Sequence, residues 1–459
     1  MIEMKKENIL RDLEDIVGKD FASNKPEDLF IYSQDPGASE PRPVDFVVMP
    51  KSVEEIQEIV QLANKERIPL IPMGGGLTLS GLILPVHKGI VMDMKRMDKI
   101  LEINSLGRYA VLEAGVTTGS LVSYLKEHHP NLQAPIPDAP TSATVAGNVL
   151  IHGSGSLSQK YGHHASMING LEVVLPTGEI TKLGSCAISE YWFSKAPIPD
   201  LIGLFTSSFG TMGIITKVSI KLYPKPKNRD IIFGFTPDFD GLPNLMSKIT
   251  FTEFAEDVMI GHSHTPSNMK QFCAVMVYIT GNSTEEMDLK RSAIEKIFKE
   301  NNTQTAPIQG QTRTYMMDHP QYTAAFAADW RKGGGFEYVG SFIPLEKIPE
   351  AIEKGVLISE KYGLVPSLLC RIIGSGHAVM FSVTFPFNRA DPDDRKNARE
   401  GLEETNKMVL EIGGVPWKTE LIGQKLTMEK ADPQYKGLFK RIRNLLDPNG
   451  IMNPGNWEV

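Results

Sequence analysis

Three consecutive glycines, Gly74, Gly75 and Gly76, follow the apolar run PLIPM and precede two hydroxyl residues, Thr78 and Ser80. Glycine costs conformational entropy on folding and packs nothing, so the run marks either a tight turn or a place where bare backbone must approach a partner closely. Backbone amides with flanking hydroxyls can cradle an anion such as a pyrophosphate when other loops contribute. Elsewhere, His262 and His264 in GHSH are spaced like two ligands on one face of a strand, but no third ligand lies nearby and no metal is expected. His128 and His129 read as the end of a helix. Cys186, Cys273 and Cys370 are too few and too far apart to hold an iron–sulfur cluster or a structural zinc. If the chain moves electrons, an organic cofactor must carry them.

A strand–helix–strand unit positions the glycine loop. VDFVVMP is a short β-rich run, SVEEIQEIVQLANKERI carries a serine N-cap with Glu55 three residues on and apolar residues at helical spacing, and PLIPM is the next strand. The crossover implies that the two strands pair in parallel, with the loop at the carboxyl end of the second, where open α/β sheets bind ligands. GIVMDM and RYAVLEAG follow as strands and TTGSLVSYLKEHH as a helix. Residues 133–164, rich in small residues and poor in charge, read as a long loop ordered by a ligand. GLEVVLPTGEI reads as a hairpin; LIGLFTSSFGTMGIITKVSIKLY reads as an apolar helix, a turn at Gly210 and Gly213, and a strand. Past PKPKNRD, the best boundary candidate, strands such as QFCAVMVYIT and AVMFSVTFPF alternate with amphipathic helices such as STEEMDLKRSAIEKIFKE, the pattern of an α+β fold.

A chain of 459 residues exceeds what one core usually supports, so two or three domains are expected. The net charge of -7, with no basic stripe, argues against nucleic acid and gives no attraction to an anionic membrane. The first residues carry charge through what would be a signal core, and no apolar run is long enough to span a bilayer, so a cytoplasmic location is expected.

Two nucleotide loops are excluded directly. GGGLTLSG lacks the lysine of a Walker loop, and Pro85 argues against the helix that a Rossmann loop opens. Four segments, in order over residues 40–226, carry a different match: PRPVDFVVMPKSVEEIQEIVQLANKERIPLIPMGGGLTLSG, YAVLEAGVTTGSLVSYL, GNVLIHGSGSLSQKYGHHASMINGLEVVLPTGEI and FTSSFGTMGIITKVSIKLYPKP. They closely resemble the FAD-binding domain of the vanillyl-alcohol oxidase/p-cresol methylhydroxylase (PCMH-type) flavoprotein superfamily. The resemblance implies a PCMH-type FAD-binding domain of two α/β subdomains over residues 1–226. A cap domain of antiparallel sheet covered by helices would follow over 227–425, then a return to the FAD domain over 426–459.

The same resemblance implies the cofactor contacts. Pro72, Met73, Gly74, Gly75, Gly76, Leu77, Thr78, Ser80 and Gly81 would wrap the FAD pyrophosphate. Pro137, Asp138, Thr141, Ser142 and Thr144 would line the isoalloxazine and diphosphate; Gly147, Asn148, His152, Gly153, Ser154, Tyr161, Gly162 and His164 would continue around them. Gly213, Ile214 and Ile215 would pack on the adenine or ribitol side, and Asn453 would come from the return segment. One branch links its flavin through a histidine in the glycine loop; Leu77 stands there, so non-covalent FAD is expected, with a link through a cap-domain His or Tyr left open.

Two branches compete. The D-2-hydroxyacid dehydrogenase and glycolate oxidase-like branch is resembled by the N-terminal region, but its Gly-Asp-Gly-Asn-x-His and Gly-Glu-His-Gly segments read GSGHAVMFSV and GGVPWKTELIG here. The phenol-oxidising branch is resembled by the second half, and has Tyr-Arg where this chain has Trp417-Lys418. The resemblance thus implies that Lys418 supplies positive charge where the flavin gains an electron pair, without the fork of a guanidinium. Asp138 matches that branch's acidic residue near flavin N5 and is a candidate base; paired tyrosines for a phenolate are not evident. Arg371 and His377 are candidates to position a carboxylate. The expected activity is FAD-dependent dehydrogenation or oxidation of a small alcohol or 2-hydroxy acid, with hydride passing to flavin N5. Electrons would leave to oxygen, a quinone, or a partner such as an electron-transfer flavoprotein, an iron–sulfur protein or a cytochrome. Alternatives are a para-substituted phenol or aromatic alcohol as substrate, and a non-redox flavoprotein like the alkylglycerone-phosphate synthases. A homodimer is left open.

Overall fold

The computed structural model describes residues 2–263, 272–318 and 333–458. Its first sheet holds β1 (Ala22–Ser23), β2 (Phe46–Val48), β3 (Leu70–Met73) and β4 (Ile90–Asp93) in the order β1-β2-β4-β3. The helix Val53–Glu66 joins β2 to β3. Ser52 caps it by accepting from the Glu55 amide at 3.2 Å, and Ile56, Ile59, Val60 and Ala63 are buried. The expected direct pairing of β2 with β3 is not what forms: each pairs in parallel with β4, which lies between them. Ile90, Val91 and Met92 are fully buried, and a strand apolar on both faces takes the central place.

Next along the chain come β5 (Ile100–Asn104), β6 (Tyr109–Glu113), β7 (Leu132–Gln133), β8 (Ile168–Val174), β9 (Ile180–Gly184), β10 (Ile214–Lys221) and β11 (Tyr223–Pro224). Five of them form an antiparallel sheet in the order β5-β6-β10-β8-β9, while β7 pairs with β11. The expected hairpin is the β8–β9 pair. The long segment 133–164 is not structureless: it contains the short helices Val145–Leu150 and Ser158–Tyr161. The expected apolar helix shrinks to one turn, Ile202–Leu204, because Ser207 and Phe209 take left-handed φ values of 53° and 51°.

The third sheet is built from β12 (Asn228–Thr236), β13 (Ala255–Ser263), β14 (Cys273–Gly281), β15 (Gln304–Thr305), β16 (Gly334–Ile343), β17 (Ser367–Ile373), β18 (Ala378–Asn388) and β19 (Val415–Trp417). All its pairings are antiparallel, in the order β15-β12-β14-β13-β17-β18-β16-β19. Period-two alternation divides its residues. Leu368, Cys370, Phe381 and Val383 pack beneath the helices Leu242–Phe251, Thr284–Glu300, Ile348–Lys361 and Pro392–Glu411. Leu369, Met380 and Trp417 belong to a separate cluster on the other side. That is the cap that the resemblance implies.

The chain then returns to its start. After the helix Pro433–Leu446, Met452 bridges Leu70 of β3 in parallel, and the Leu70 amide donates to the Ile451 carbonyl at 2.7 Å. His262 is buried in β13, with Nδ1 3.1 Å from the Phe272 carbonyl; His264 lies outside the described residues. No helix among the described residues is long and apolar enough to cross a membrane.

Candidate active site

A cavity of about 630 Å³ is lined by residues of all three sheets and the loops between them. The glycine loop beyond β3 forms one side: Pro72, Met73, Gly74, Gly75, Gly76, Leu77, Thr78 and Ser80 all line it. Gly76 has a left-handed φ of 69°, which favours glycine. Gly75 is glycine for a second reason: a Cβ there would stand 2.9 Å from the Ser142 carbonyl oxygen and 3.2 Å from the Ala143 Cα. At Gly74 a Cβ would strike Thr144 Oγ1. Close approach of the 142–144 segment therefore demands bare backbone in addition to any ligand. Forcing a side chain into such a contact costs about 1–3 kcal/mol. Gly75→Val is expected to lower the flavin content of the purified protein by roughly tenfold, read from absorbance per chain; full flavin content would show that the loop tolerates the shift.

Thr144 turns that segment into the helix Val145–Leu150 by accepting from the Gly147 amide at 3.2 Å. Thr144, Gly147, Asn148 and Ser154 line the cavity, as do Gly213 and Ile215 at the start of β10. From the return segment Asn453 arrives, its Nδ2 donating to the Phe209 carbonyl at 2.6 Å. Its Oδ1 and the Thr78 hydroxyl are both buried without a hydrogen-bond partner among the described residues. Buried polar atoms are almost always satisfied, so these two mark where a ligand's polar groups belong.

The opposite wall is the outer face of the cap sheet: Phe336 and Tyr338 of β16, Leu369 of β17, Met380, Ser382 and Thr384 of β18, and Trp417 at the end of β19. Trp417 is fixed by donating Nε1–H to the Ile151 carbonyl at 2.8 Å. Lys418 follows in a left-handed conformation, φ 54°, with Nζ 4.0 Å from the centre of the Trp417 ring. Among the described residues it is the only basic side chain lining the cavity, and it forms no ion pair there. Burial lowers its pKa to about 7. Burial likewise raises the Tyr338 phenol, which stays protonated and donates to Met380 Sδ at 3.4 Å.

Asp138 enters beside Pro137, its amide donating to the Ser154 carbonyl at 3.1 Å. One carboxylate oxygen, Oδ2, accepts from Arg371 of β17; the other, Oδ1, is buried and unpartnered among the described residues. Arg371 is 1% exposed and also pairs with Asp257 at 3.0 Å, while its Nη2 lies 2.9 Å from Met259 Sδ. With two carboxylates on it, Arg371 is not free to receive a substrate carboxylate, which corrects the role expected from sequence. Burial raises the Asp257 carboxyl well above its ordinary range.

Other expected contacts fall behind the cavity wall. His377 sits exposed at the turn between β17 and β18 and does not line the cavity. Gly81 donates its amide to Asp35 instead of facing inward, Thr141 and Ser142 are exposed, and Ile214 is taken up by pairing with Val174. His164 is fully buried with Nδ1 2.7 Å from Asn148 Nδ2, and Gly153 donates to the Asn148 carbonyl; both hold Asn148 in place. His152 pairs edge-on with His163; burial, and less strongly that neighbour, lowers its pKa to about 4. Tyr161 stacks on Tyr223 at 4.0 Å, and Gly162 caps the short helix with φ 87°. Phe336, Tyr338 and Glu337 behind them were not anticipated. Nothing in local spacing marks a strand that meets the glycine loop only through the tertiary fold.

Residues 44–184 match the family model described as FAD binding domain, and residues 228–457, half of the chain, match FAD linked oxidases, C-terminal domain. The chain belongs to the FAD-linked oxidase family. Curated relatives of this chain include a probable mitochondrial D-lactate dehydrogenase of Danio rerio, 25% identical, covering 92% of this chain and 86% of the relative. The glycolate oxidase subunit GlcD of Escherichia coli is 25% identical over 89% and 83% of the two chains. Among solved structures, substrate-bound p-cresol methylhydroxylase superposes with a TM-score of 0.85 at 20% identity, covering 98% of this chain and 96% of that one. The cofactor is FAD, and the residues fit it: a glycine cradle closed by a second loop, with unpartnered Thr78 and Asn453 oxygens on the same cavity.

Proposed function

We propose that this FAD-linked oxidoreductase dehydrogenates a small 2-hydroxy acid or alcohol at the carbon bearing the hydroxyl. One observation carries the reading: Lys418, a basic side chain without a carboxylate partner among the described residues, and Asp138 Oδ1, a carboxylate oxygen without a donor among them, belong to the same otherwise largely apolar cavity. A 2-hydroxy acid presents the complementary set. Lys418 holds its carboxylate, Asp138 Oδ1 accepts the hydroxyl proton, and Phe336, Leu369 and Met380 cover its side chain. Arg371, fixed by Asp257, sets the rotation of the Asp138 carboxylate through Oδ2. Bound FAD, held without a covalent link, supplies the hydride acceptor. Re-oxidation then falls to an external acceptor: oxygen, a quinone, an electron-transfer flavoprotein, an iron–sulfur protein or a cytochrome.

The aromatic wall of Phe336, Tyr338 and Trp417 supports a second reading, a para-substituted phenol or aromatic alcohol. Against it, Tyr338 is the only tyrosine lining the cavity among the described residues, and its hydroxyl is engaged by Met380. A non-redox reaction on a phosphate ester would want several basic groups where Lys418 is the only one among the described residues. Anaerobic mixing of the holoprotein with 2-hydroxy acids and with para-alkyl phenols separates the readings. The hydroxy acids are expected to bleach the flavin and the phenols to leave it yellow; the reverse pattern would move the assignment to phenols. After acid precipitation the yellow colour is expected in the supernatant, and colour in the pellet would show a covalent bond.

A further inference from the structure

Behind the glycine loop, outside the cavity chemistry, two buried carboxylates face one another across Gly37. Glu337 of β16 is 1% exposed, and lies between the cavity-lining Phe336 and Tyr338 on the opposite face of the strand. Its Oε1 accepts from the Ser80 hydroxyl and, at 3.2 Å, from the Tyr338 amide; its Oε2 accepts from the Ala38 amide at 2.8 Å. Asp35, 6% exposed, accepts from the Gly37 amide at 2.9 Å and from the Gly81 amide at 2.7 Å. A Cβ on Gly37 would stand 2.8 Å from Glu337 Oε2 and 3.0 Å from Asp35 Oδ1, so both groups crowd one backbone atom. Ser80 and Gly81 both have left-handed φ values, 61° and 71°, a strained end of the glycine loop that these two acids hold from behind.

We propose that Asp35 and Glu337 form a buried acid pair that clasps the end of the FAD loop to the cap sheet, making Glu337 a positioning residue for the cofactor and coupling FAD retention to protonation of the pair. The neighbouring charges decide where the proton sits. Burial raises the Asp35 carboxyl, opposed by the Gly81 and Gly37 amides and by two guanidinium groups: Arg42, which donates to the Gly81 and Leu84 carbonyls at 3.1 and 3.2 Å, and Arg389, which donates to the Asp35 carbonyl at 3.0 Å. Among the described residues no cation stands beside Glu337, and burial together with the Asp35 charge pushes it up to about 7. The sign follows. A carboxyl raised in the folded state binds its proton more tightly than the unfolded chain does, so stability falls as pH rises from the ordinary glutamate range to about 7. Above about 7 a second negative charge appears behind a loop that holds an anionic pyrophosphate.

The test is FAD affinity of the full chain at about pH 6 and about pH 8.5, in wild type and Glu337→Gln, which keeps an acceptor and a donor without a titrating proton. Wild-type affinity is expected to weaken about tenfold between the two, the equivalent of one unit of coupling, and the variant to stay level. Equal affinity at both pH values in wild type, or the wild-type loss persisting in the variant, would overturn the proposal. Thermal unfolding of the flavin-free chain needs no cofactor: the wild-type midpoint is expected to fall from about pH 5 to about pH 8, and that of Glu337→Gln to fall less. Identical falls would overturn the acid pair, whereas absence of FAD binding at about pH 6 would instead defeat the cofactor reading on which the coupling rests.

Discussion

Arg371→Ala is expected to destabilise the fold by about 3–5 kcal/mol, because it strands two buried carboxylates that share one guanidinium. Asp257 is 1% exposed, as is Arg371 itself, and Asp138 is largely buried. A domain is typically stable by about 5–15 kcal/mol, so the loss is a large share of the total. The midpoint of urea unfolding measures it. Asp257 still faces Arg229, but a buried carboxyl that loses the Arg371 cation keeps its proton to higher pH in the folded state than in the unfolded chain, so the deficit should widen from acidic to neutral pH. Arg371→Lys keeps a charge but cannot reach both carboxylates in a fork, and should fall between wild type and the alanine variant. An unfolding midpoint unchanged in Arg371→Ala would mean that the ion pairs contribute nothing net.

Lys418→Met is expected to retain FAD while slowing anaerobic flavin bleaching by about 10²–10³-fold, the usual consequence of removing one group that stabilises developing or bound negative charge. The methionine fills similar volume against Trp417, so a folding defect is not expected. The pH dependence gives an independent check. Burial lowers Lys418 from its ordinary value of 10.5 to about 7, so it is charged below that pH and neutral above it. The wild-type bleaching rate should therefore fall roughly tenfold per unit above about pH 7, while the methionine variant shows no such limb. Lys418→Arg carries a fixed charge and should keep the rate level through the same range. Unchanged kinetics in Lys418→Met would remove this residue from the mechanism.

Local signals made the cofactor side of the molecule readable from sequence. The Ser52 cap, the apolar spacing of Val53–Glu66 and the glycines after β3 all act within a few residues, and each appears where periodicity places it. The order of β4 between β2 and β3 was not readable, because burial on both faces is a property of the assembled sheet. The same limit applies at the site. Trp417 and Lys418 were found through a resemblance of neighbouring residues, but the neutralisation of Arg371 needed the meeting of β13, β17 and the 137–138 segment. Glu337 carried no signal at all: a glutamate inside an alternating strand reads as a solvated face, and burial by residues 35–38 overrides that pattern.

The most direct measurement is an anaerobic single turnover: holoprotein mixed with a 2-hydroxy acid, bleached flavin and product quantified together. One 2-oxo acid formed for each flavin bleached is the predicted result. A flavin that stays oxidised with every hydroxy acid and alcohol offered, or that bleaches without an oxo product, would contradict dehydrogenation at the hydroxyl-bearing carbon.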